Sequence, residues 1–412
     1  MSAAHEISTG LPQLHTWAGR PAPTDFATLP NCPAVFLLLD ADDRPIQLGT
    51  TQTLRRQLVA RLSVPSDPRR GKVDVAEIAR GVRWRPLATA FEGRWWYYRL
   101  ARALYPGEYR RLISFGPAWF LNVDWTAALP EISVTERIWC RPGEFVGPWP
   151  THAACQEALA GLWDLFDLCR YPEQLRRSPR GTRCAYADMQ RCDAPCDGST
   201  RPAPYVERCR AAWQFACGQA PTWTATAHER MNAAARAQQY EMAALLKKQL
   251  AFAARWLSTW APNLRTTADW HFVLALPAAR RKAWKLLRCW NGDLDEGPTS
   301  PDRRLGAEAG AWLDAQLSAA PVPAGRLDDV VRMEQTWLTS RLLWRANREP
   351  HVLVPLHGAP SPRDVEQVLV ERTLALRRAL ATASESDDKT GGGARSGPGE
   401  TDKNPAESDE FI

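Results

Sequence analysis

Apolar positions run without a break from Pro33 to Leu39, and the polar stretch Asp40 to Arg44 separates them from a second short run, Pro45 to Leu48. Continuous apolar runs bounded by turn residues predict strands, and this pair predicts a hairpin. Gly49-Thr50-Thr51 leads into a helical pattern over Thr53 to Leu62 that ends before Pro65. A second helix is expected from about Leu87 to Leu104, stopped by Pro106-Gly107, with strands at Leu112 to Phe115 and Trp119 to Val123. Together these elements predict a small α+β domain over roughly residues 30–125. The Pro- and Gly-rich stretch 1–29 before it reads as a flexible arm.

Gly143 to Pro150 reads as loop, and a helix from Ala153 to Leu168 delivers the chain to a group of cysteines, giving a region over residues 126–220. An Ala-rich helical pair between Thr226 and Leu257, broken near Gln238-Gln239, fills residues 221–260. Trp270 to Leu276 and Ala283 to Trp290 predict a hairpin whose turn is Pro277 to Lys282 and whose second strand ends at Asn291-Gly292. A helix from Leu327 to Arg345 and a strand from His351 to Pro355 follow. The last helix opens with Ser361-Pro362 and Asp364, closing an α+β region over residues 261–383. Residues 384–412 are Gly, Ser, Pro and charge and are expected to be disordered. The expected fold class is α+β.

Composition sharpens this picture only in places. A 412-residue chain with 45% hydrophobic and 24% charged residues has the profile of a soluble globular protein of two to three domains. No run of about 18 apolar residues predicts a membrane-spanning helix, and the start lacks a secretory layout, so the cytoplasm is the expected compartment and no membrane partner is expected. Charge is more informative. The chain carries 45 Arg against 7 Lys, and residues 384–412 hold eight acidic and three basic side chains. Without that tail the net charge rises from +6 to about +11, mostly as guanidinium, whose planar fork suits phosphate. A high-GC genome would give the same Arg usage, so basicity by itself identifies no partner.

Ten cysteines in a cytosolic chain do not read as a disulfide framework. Four are grouped, with Cys169, Cys184, Cys192 and Cys196 separated by 14, 7 and 3 residues, Pro195 before the last and Gly198 after it. Four thiolates close a tetrahedral zinc site or hold an iron–sulfur cluster. Arg176, Arg177, Arg180, Arg183 and Arg191 around them are expected to lower the thiol pKa values. The remaining six cysteines read as small hydrophobes.

The run Cys184-Ala185-Tyr186 through Arg191-Cys192-Asp193-Ala194-Pro195-Cys196-Asp197-Gly198 resembles the cysteine region of the UvrC family of excinucleases, and Gly143 to Pro150 resembles the segment that precedes it there. The resemblance implies a 4Fe–4S cluster, with zinc as the alternative, on Cys169, Cys184, Cys192 and Cys196. Cys169 is the weakest match, lying about two positions early. The N-terminal domain resembles the family's GIY-YIG nuclease domain, with Ala34-Val35-Phe36 and Gln47-Leu48-Gly49 in the two signature slots. That fold cleaves phosphodiesters with Tyr hydroxyls, a helical Arg and a metal-binding Glu. Here Phe36, Gln47, Gln57 and Tyr97 stand in those slots, so no catalytic residue is assigned and no catalytic divalent metal is expected. Arg55, Arg56 and Arg61 on the following helix are the expected DNA contacts.

The helical pair resembles the UVR motif, in which Tyr240, Glu241, Ala243, Ala244, Lys247 and Leu250 are the expected contacts to a partner hairpin on UvrB. Lys248 replaces an acidic residue common in that pattern. Residues 260–382 resemble the family loosely, and its RNase H-like nuclease domain and helix-hairpin-helix pair have no counterpart beyond them. Three functions remain open. The first is a nuclease-deficient UvrC-like protein of nucleotide excision repair that binds DNA and UvrB as adaptor or competitor. The second is a single-incision endonuclease rebuilt around Arg61, Glu92, Tyr97 and Tyr98. The third is a nucleic-acid-binding interaction protein outside repair.

Overall fold

The computed structural model describes residues 3–62, 74–113, 116–189, 191–318, 328–356 and 361–390. It is an α+β structure of three open four-stranded sheets with helices packed on their faces. The N-terminal unit comprises α1 (Ala3–Gly10), β1 (Gln13–Thr16), β2 (Ala34–Leu39), β3 (Pro45–Thr51), α2 (Leu54–Leu62), β4 (Gly81–Pro86) and α3 (Ala90–Leu104), with strand order β1-β4-β2-β3, all antiparallel. β2 is apolar throughout because both its faces are covered. Val35, Leu37 and Leu39 meet Phe91, Trp95 and Trp96 of α3, whereas Ala34, Phe36 and Leu38 meet Leu54, Leu58 and Leu62 of α2.

Residues 1–29 are not a loose arm over their described part. β1 pairs with β4, Trp17 donates its indole N–H to Ala79 O at 3.0 Å, and Leu11, Phe26 and Leu29 are buried. Four apolar anchors outweigh the Pro and Gly content that suggested a flexible chain. The segment predicted as strand Leu112 to Phe115 opens instead in a helical turn, Tyr109–Leu112, and its residues 114–115 lie outside the described ones. α3 starts three residues later than predicted, because Thr89 caps it and Glu92 closes the reciprocal capping box.

The middle unit holds β5 (Trp119–Val123), β6 (Ile132–Thr135), β7 (Glu144–Trp149), α4 (His152–Phe166), α5 (Pro202–Gln214), α6 (Ala220–Arg236), α7 (Tyr240–Arg255) and β8 (Arg265–Thr266), with strand order β6-β5-β7-β8. β5 therefore belongs here and not with the N-terminal unit predicted to run to residue 125. The stretch Gly143 to Pro150, read as loop for its Gly and Pro, supplies strand β7, whose Phe145, Val146 and Trp149 are buried. α7 packs on α4 where a methyl group at Gly161 would overlap the Phe252 ring, so that glycine sets how closely the two helices approach.

The C-terminal unit holds β9 (His271–Pro277), β10 (Ala283–Trp290), β11 (Asp293–Pro301), α8 (Leu305–Ser318), α9 (Asp329–Leu343), β12 (Val352–Pro355) and α10 (Pro362–Thr390), with strand order β11-β10-β9-β12. The predicted hairpin is present. The turn at Asn291-Gly292, where both residues have positive φ (51° and 86°), leads into a third strand that the sequence reading left out. One face of this sheet packs on α8 and α10, and the other joins the core built on α3 and α9. The N- and C-terminal units thus share one core. α10 continues seven residues past the predicted end at Ala383, since no Gly or Pro interrupts it before Gly391. The expectation of disorder from 391 to 412 lies outside the described residues. No helix among the described residues is long and apolar enough to cross a membrane.

Candidate functional site

The cysteine group is assembled by α4 and two loops laced to each other. α4 is capped by Thr151, whose hydroxyl accepts from Ala154 N at 3.1 Å, and it ends at Asp167 in a left-handed conformation (φ 48°). That reversal buries Leu168 and sets Cys169 at the edge of the middle core, its thiol facing Tyr171 O at 3.5 Å. The stretch that follows is tied to the last two cysteines. Gly181 donates its N–H to Cys196 O at 2.9 Å, Ser178 donates its hydroxyl to Pro195 O at 2.9 Å, and the Cys196 thiol faces Thr182 O at 3.8 Å. Gly181 must be glycine, because a Cβ there would stand 2.5 Å from Gln174 O and 2.8 Å from Cys196 O. Cys184 opens a helical turn, Ala185–Asp188, and Cys192 and Cys196 are buried.

All four thiols are free and share one neighbourhood: Cys169 feels the charges of Cys192, Cys196 and Cys184. Burial is the main influence on Cys169 and pushes its pKa up to about 12, with those neighbouring thiolates raising it further. Burial also raises Cys192 and Cys196, each assisted by a neighbouring cysteine. The sequence expectation that five arginines lower these pKa values is therefore corrected. Three of the five are spent on carboxylates: Arg176 grips Glu131 (3.0 and 3.1 Å), Arg183 pairs with Asp188 at 3.2 Å, and Arg191 pairs with Asp167 at 2.9 Å. The cation that does favour a thiolate is Arg208 of α5, which acts on Cys192 while bound to Asp193 at 2.5 Å. Nothing in the sequence singles it out, since Arg210 stands two residues on in the same helix.

The donor set fits a thiolate-held centre in its chemistry, with four free sulfurs and two of them buried. As the side chains stand, no group of three or more His, Cys, Asp or Glu among the described residues is arranged to hold a metal ion. Of the other six cysteines, Cys155, Cys209 and Cys289 are fully buried, in keeping with the hydrophobe reading, whereas Cys32, Cys140 and Cys217 are half-buried.

Of the four slots of the N-terminal domain, Tyr97 lies on the opposite face of the sheet from Phe36, Gln47 and Gln57. Phe36 is buried under α2, its ring filling the space that a Cβ at Gly49 would occupy. Gln47 lies opposite Leu38 in the β2–β3 ladder, and its buried side-chain carbonyl has no hydrogen-bond partner among the described residues. Gln57 stands half-buried on α2. Tyr97 is on α3 and packs against the core on the other face of the sheet, where burial raises its pKa. The rebuilt site around Arg61, Glu92, Tyr97 and Tyr98 is not assembled either. Glu92 accepts from Ala88 N at 2.9 Å and Thr89 N at 3.3 Å as a helix cap, and Tyr98 donates to Glu334 at 3.0 Å. Arg61 rides on α2, across the sheet from both. Arg55, Arg56 and Arg61 are exposed, with Arg55 reaching Ala27 O at 3.4 Å.

In the helical pair, Leu246, Leu250 and Ala253 face the protein and are buried, so Leu250 is not available to a partner. Tyr240, Glu241, Ala244 and Lys247 are exposed and Ala243 is half-buried. Met242 and Leu245, which the sequence reading did not place on the contact stripe, are 44% and 39% exposed beside Tyr240 at 70%. Met242 and Leu245, three residues apart, leave one apolar strip of α7 in water, and Tyr240 is exposed on the opposite flank of the helix.

Residues 118–215 match the UvrC/Cho excinuclease middle domain. The resemblance to the UvrC family is borne out. UvrABC system protein C of Stenotrophomonas maltophilia (strain K279a) is 27% identical over 231 residues, 54% of this chain and 36% of that protein. Its counterpart in Geobacter metallireducens is 27% identical over 219 residues (53% and 35%), and that of Pseudomonas aeruginosa (strain LESB58) is 26% identical over 230 residues (56% and 37%). The chain thus spans little more than a third of the length of these UvrC relatives. The matched stretch covers the first part of the middle unit and includes all four cysteines. No solved structure matches the chain.

Proposed function

We propose that the chain is a UvrC-like protein of nucleotide excision repair in the cytoplasm that binds DNA, docks on UvrB and cuts neither strand itself. The observation that carries this reading is the match of residues 118–215 to the UvrC/Cho excinuclease middle domain, over the same unit in which four free cysteines converge. In this reading Cys169, Cys184, Cys192 and Cys196 hold a 4Fe–4S cluster, or zinc in its place, which when bound cross-links α4 to the two loops. Arg208 offsets part of the negative charge that the thiolates bring. Arg55, Arg56 and Arg61 are exposed cations on α2 for phosphates.

The chemistry at the four nuclease slots supports an inactive domain. Phe36 has no hydroxyl, Gln57 has no charge to place against a phosphate, and Tyr97 offers no carboxylate for a divalent ion. Loss of a charge-stabilising Arg alone costs roughly 10³–10⁵ in phosphoryl transfer. Docking on UvrB would use the exposed Tyr240, Met242 and Leu245 with Glu241, Ala244 and Lys247 at their border. Mixing purified chain with UvrB, UvrA, ATP, Mg²⁺ and a damaged duplex tests both halves. Micromolar capture of UvrB that falls at least about tenfold in Leu245→Asp, with no new strand break, is the expected result. Absent UvrB binding removes the docking role, and a Mg²⁺-dependent incision overturns the inactive reading.

A further inference from the structure

The tip of the β9–β10 hairpin carries Arg280, Arg281 and Lys282, all exposed. Two other basic segments are fastened to it through one carboxylate. Asp302 donates its backbone N–H to Lys282 O at 3.0 Å, accepts from Trp284 Nε1 at 2.9 Å and pairs with Arg377 of α10 at 2.7 Å. The Arg377 guanidinium also lies 5.2 Å over the Trp284 ring. Arg303 and Arg304 follow Asp302 directly and Arg378 follows Arg377, and all three are exposed. Six outward cations from three separate elements therefore surround one anchored hub.

The local acids leave most of this charge uncompensated. Asp302 is spent on Arg377, and Glu308 reaches Arg304 only at 3.9 Å while accepting the Ser300 hydroxyl. Glu366 is half-buried against Gly306 and Gly310 of α8. Among the described residues Arg280, Arg281, Lys282, Arg303 and Arg378 have no ion-pair partner. A solvated run of charge on one helix needs no explanation, but here a buried Trp, a carboxylate and two backbone segments hold like charges together against their repulsion. A polyanion relieves that repulsion. Five of the six cations are Arg, whose fork grips phosphate oxygens where an ammonium offers a point charge.

We propose that this knob at the end of the C-terminal sheet, outside the matched middle domain, is a binding surface for the phosphodiester backbone of duplex nucleic acid. It is a second contact besides the α2 cations, and only the choice of DNA as first probe rests on the repair reading. Each phosphate neutralised releases counterions, so log K falls with log salt by roughly 0.9 per contact.

The test is anisotropy of the full chain on a labelled DNA duplex of about 25 base pairs and on an RNA duplex of the same sequence, from about 50 to 200 mM salt. The triple variant Arg280→Ala/Arg281→Ala/Lys282→Ala is expected to lose at least about tenfold in affinity at about 100 mM salt and about 2.7 units of salt slope. Arg303→Ala/Arg304→Ala should lose about 1.8 units. Equal losses on both duplexes assign the contact to the backbone, and a loss on DNA alone assigns it to the B-form duplex; either supports the surface. Affinity and slope like those of the parent chain in both variants would overturn it. So would a variant-sensitive binding seen only on vesicles of anionic lipid. An Arg55→Ala/Arg56→Ala/Arg61→Ala chain separates the two readings. If it alone weakens, DNA binding stands and the knob falls; if only the knob variants weaken, the knob stands and the α2 contact falls.

Discussion

Replacing Glu334 by Ala is expected to cost about 3–5 kcal/mol, one of the largest losses available to a single substitution outside the sulfur group. Its carboxylate is 1% exposed on α9 and accepts from three side chains of the N-terminal unit. Tyr98 donates at 3.0 Å, Tyr109 at 3.0 and 3.1 Å, and Arg110 Nε at 2.8 Å. Burial, then the neighbouring carboxylate, raises the pKa of both tyrosines, so the hydroxyls stay protonated and donate to the anion. Alanine deletes the acceptor from both hydroxyls and leaves a cavity in the core that α3 and α9 share. Glu334→Gln keeps shape and an acceptor and should cost about 1–2 kcal/mol. Arg110→Ala should cost less again, because that guanidinium is 56% exposed and regains water. Urea denaturation followed by Trp fluorescence gives the order directly. Equal stability of Glu334→Ala and the parent chain would show that the two units do not depend on this contact.

The second large effect is expected at the cysteines. Cys192→Ser should strip the bound metal from the chain and lower its stability by several kcal/mol, since a centre held only by the folded state contributes its binding free energy to folding. In metal-free protein the same change should cost only about 1 kcal/mol, the scale of exchanging one buried polar atom for another. Cys209→Ser is the control. Cys209 is fully buried in the middle core, where its thiol faces Pro130 O at 3.6 Å. It should lower stability modestly in both states and leave metal content unchanged. Thermal melts of metal-bound and stripped protein, read beside metal analysis, separate a ligand from a core residue. Equal shifts for Cys192→Ser in the two states would deny it a ligand role.

What the sequence told and what it withheld follow from where the information sits. β2 was legible because burial on both faces leaves a strand no polar position to show. α4, the α6–α7 pair and the β9–β10 hairpin were legible from period and turn residues in the same way. β4 was not, because Arg83 and Arg85 interrupt it. Arg85 finds its partners in Gly10 O at 2.6 Å, Thr9 O at 2.8 Å and Glu296 at 3.0 Å, two of them some 75 residues away and one 211. β11 hid for a similar reason: Asp293–Pro301 reads as loop, and only its pairing with β10 makes it a strand. At the candidate centre, cysteine spacing announced the donor set, but thiol acidity depends on burial and on which carboxylates claim each arginine, which spacing does not encode. Glu334 carried no local signal at all, since its three donors lie more than 220 residues upstream.

The most direct test of the account is the iron, sulfide and zinc content of the full chain purified without oxygen, read with its visible spectrum. The account predicts a brown protein with about four irons and four sulfides per chain, or one zinc if the alternative holds, and no metal once Cys184, Cys192 and Cys196 are replaced by Ser. A colourless chain that folds stably with neither iron nor zinc would contradict it.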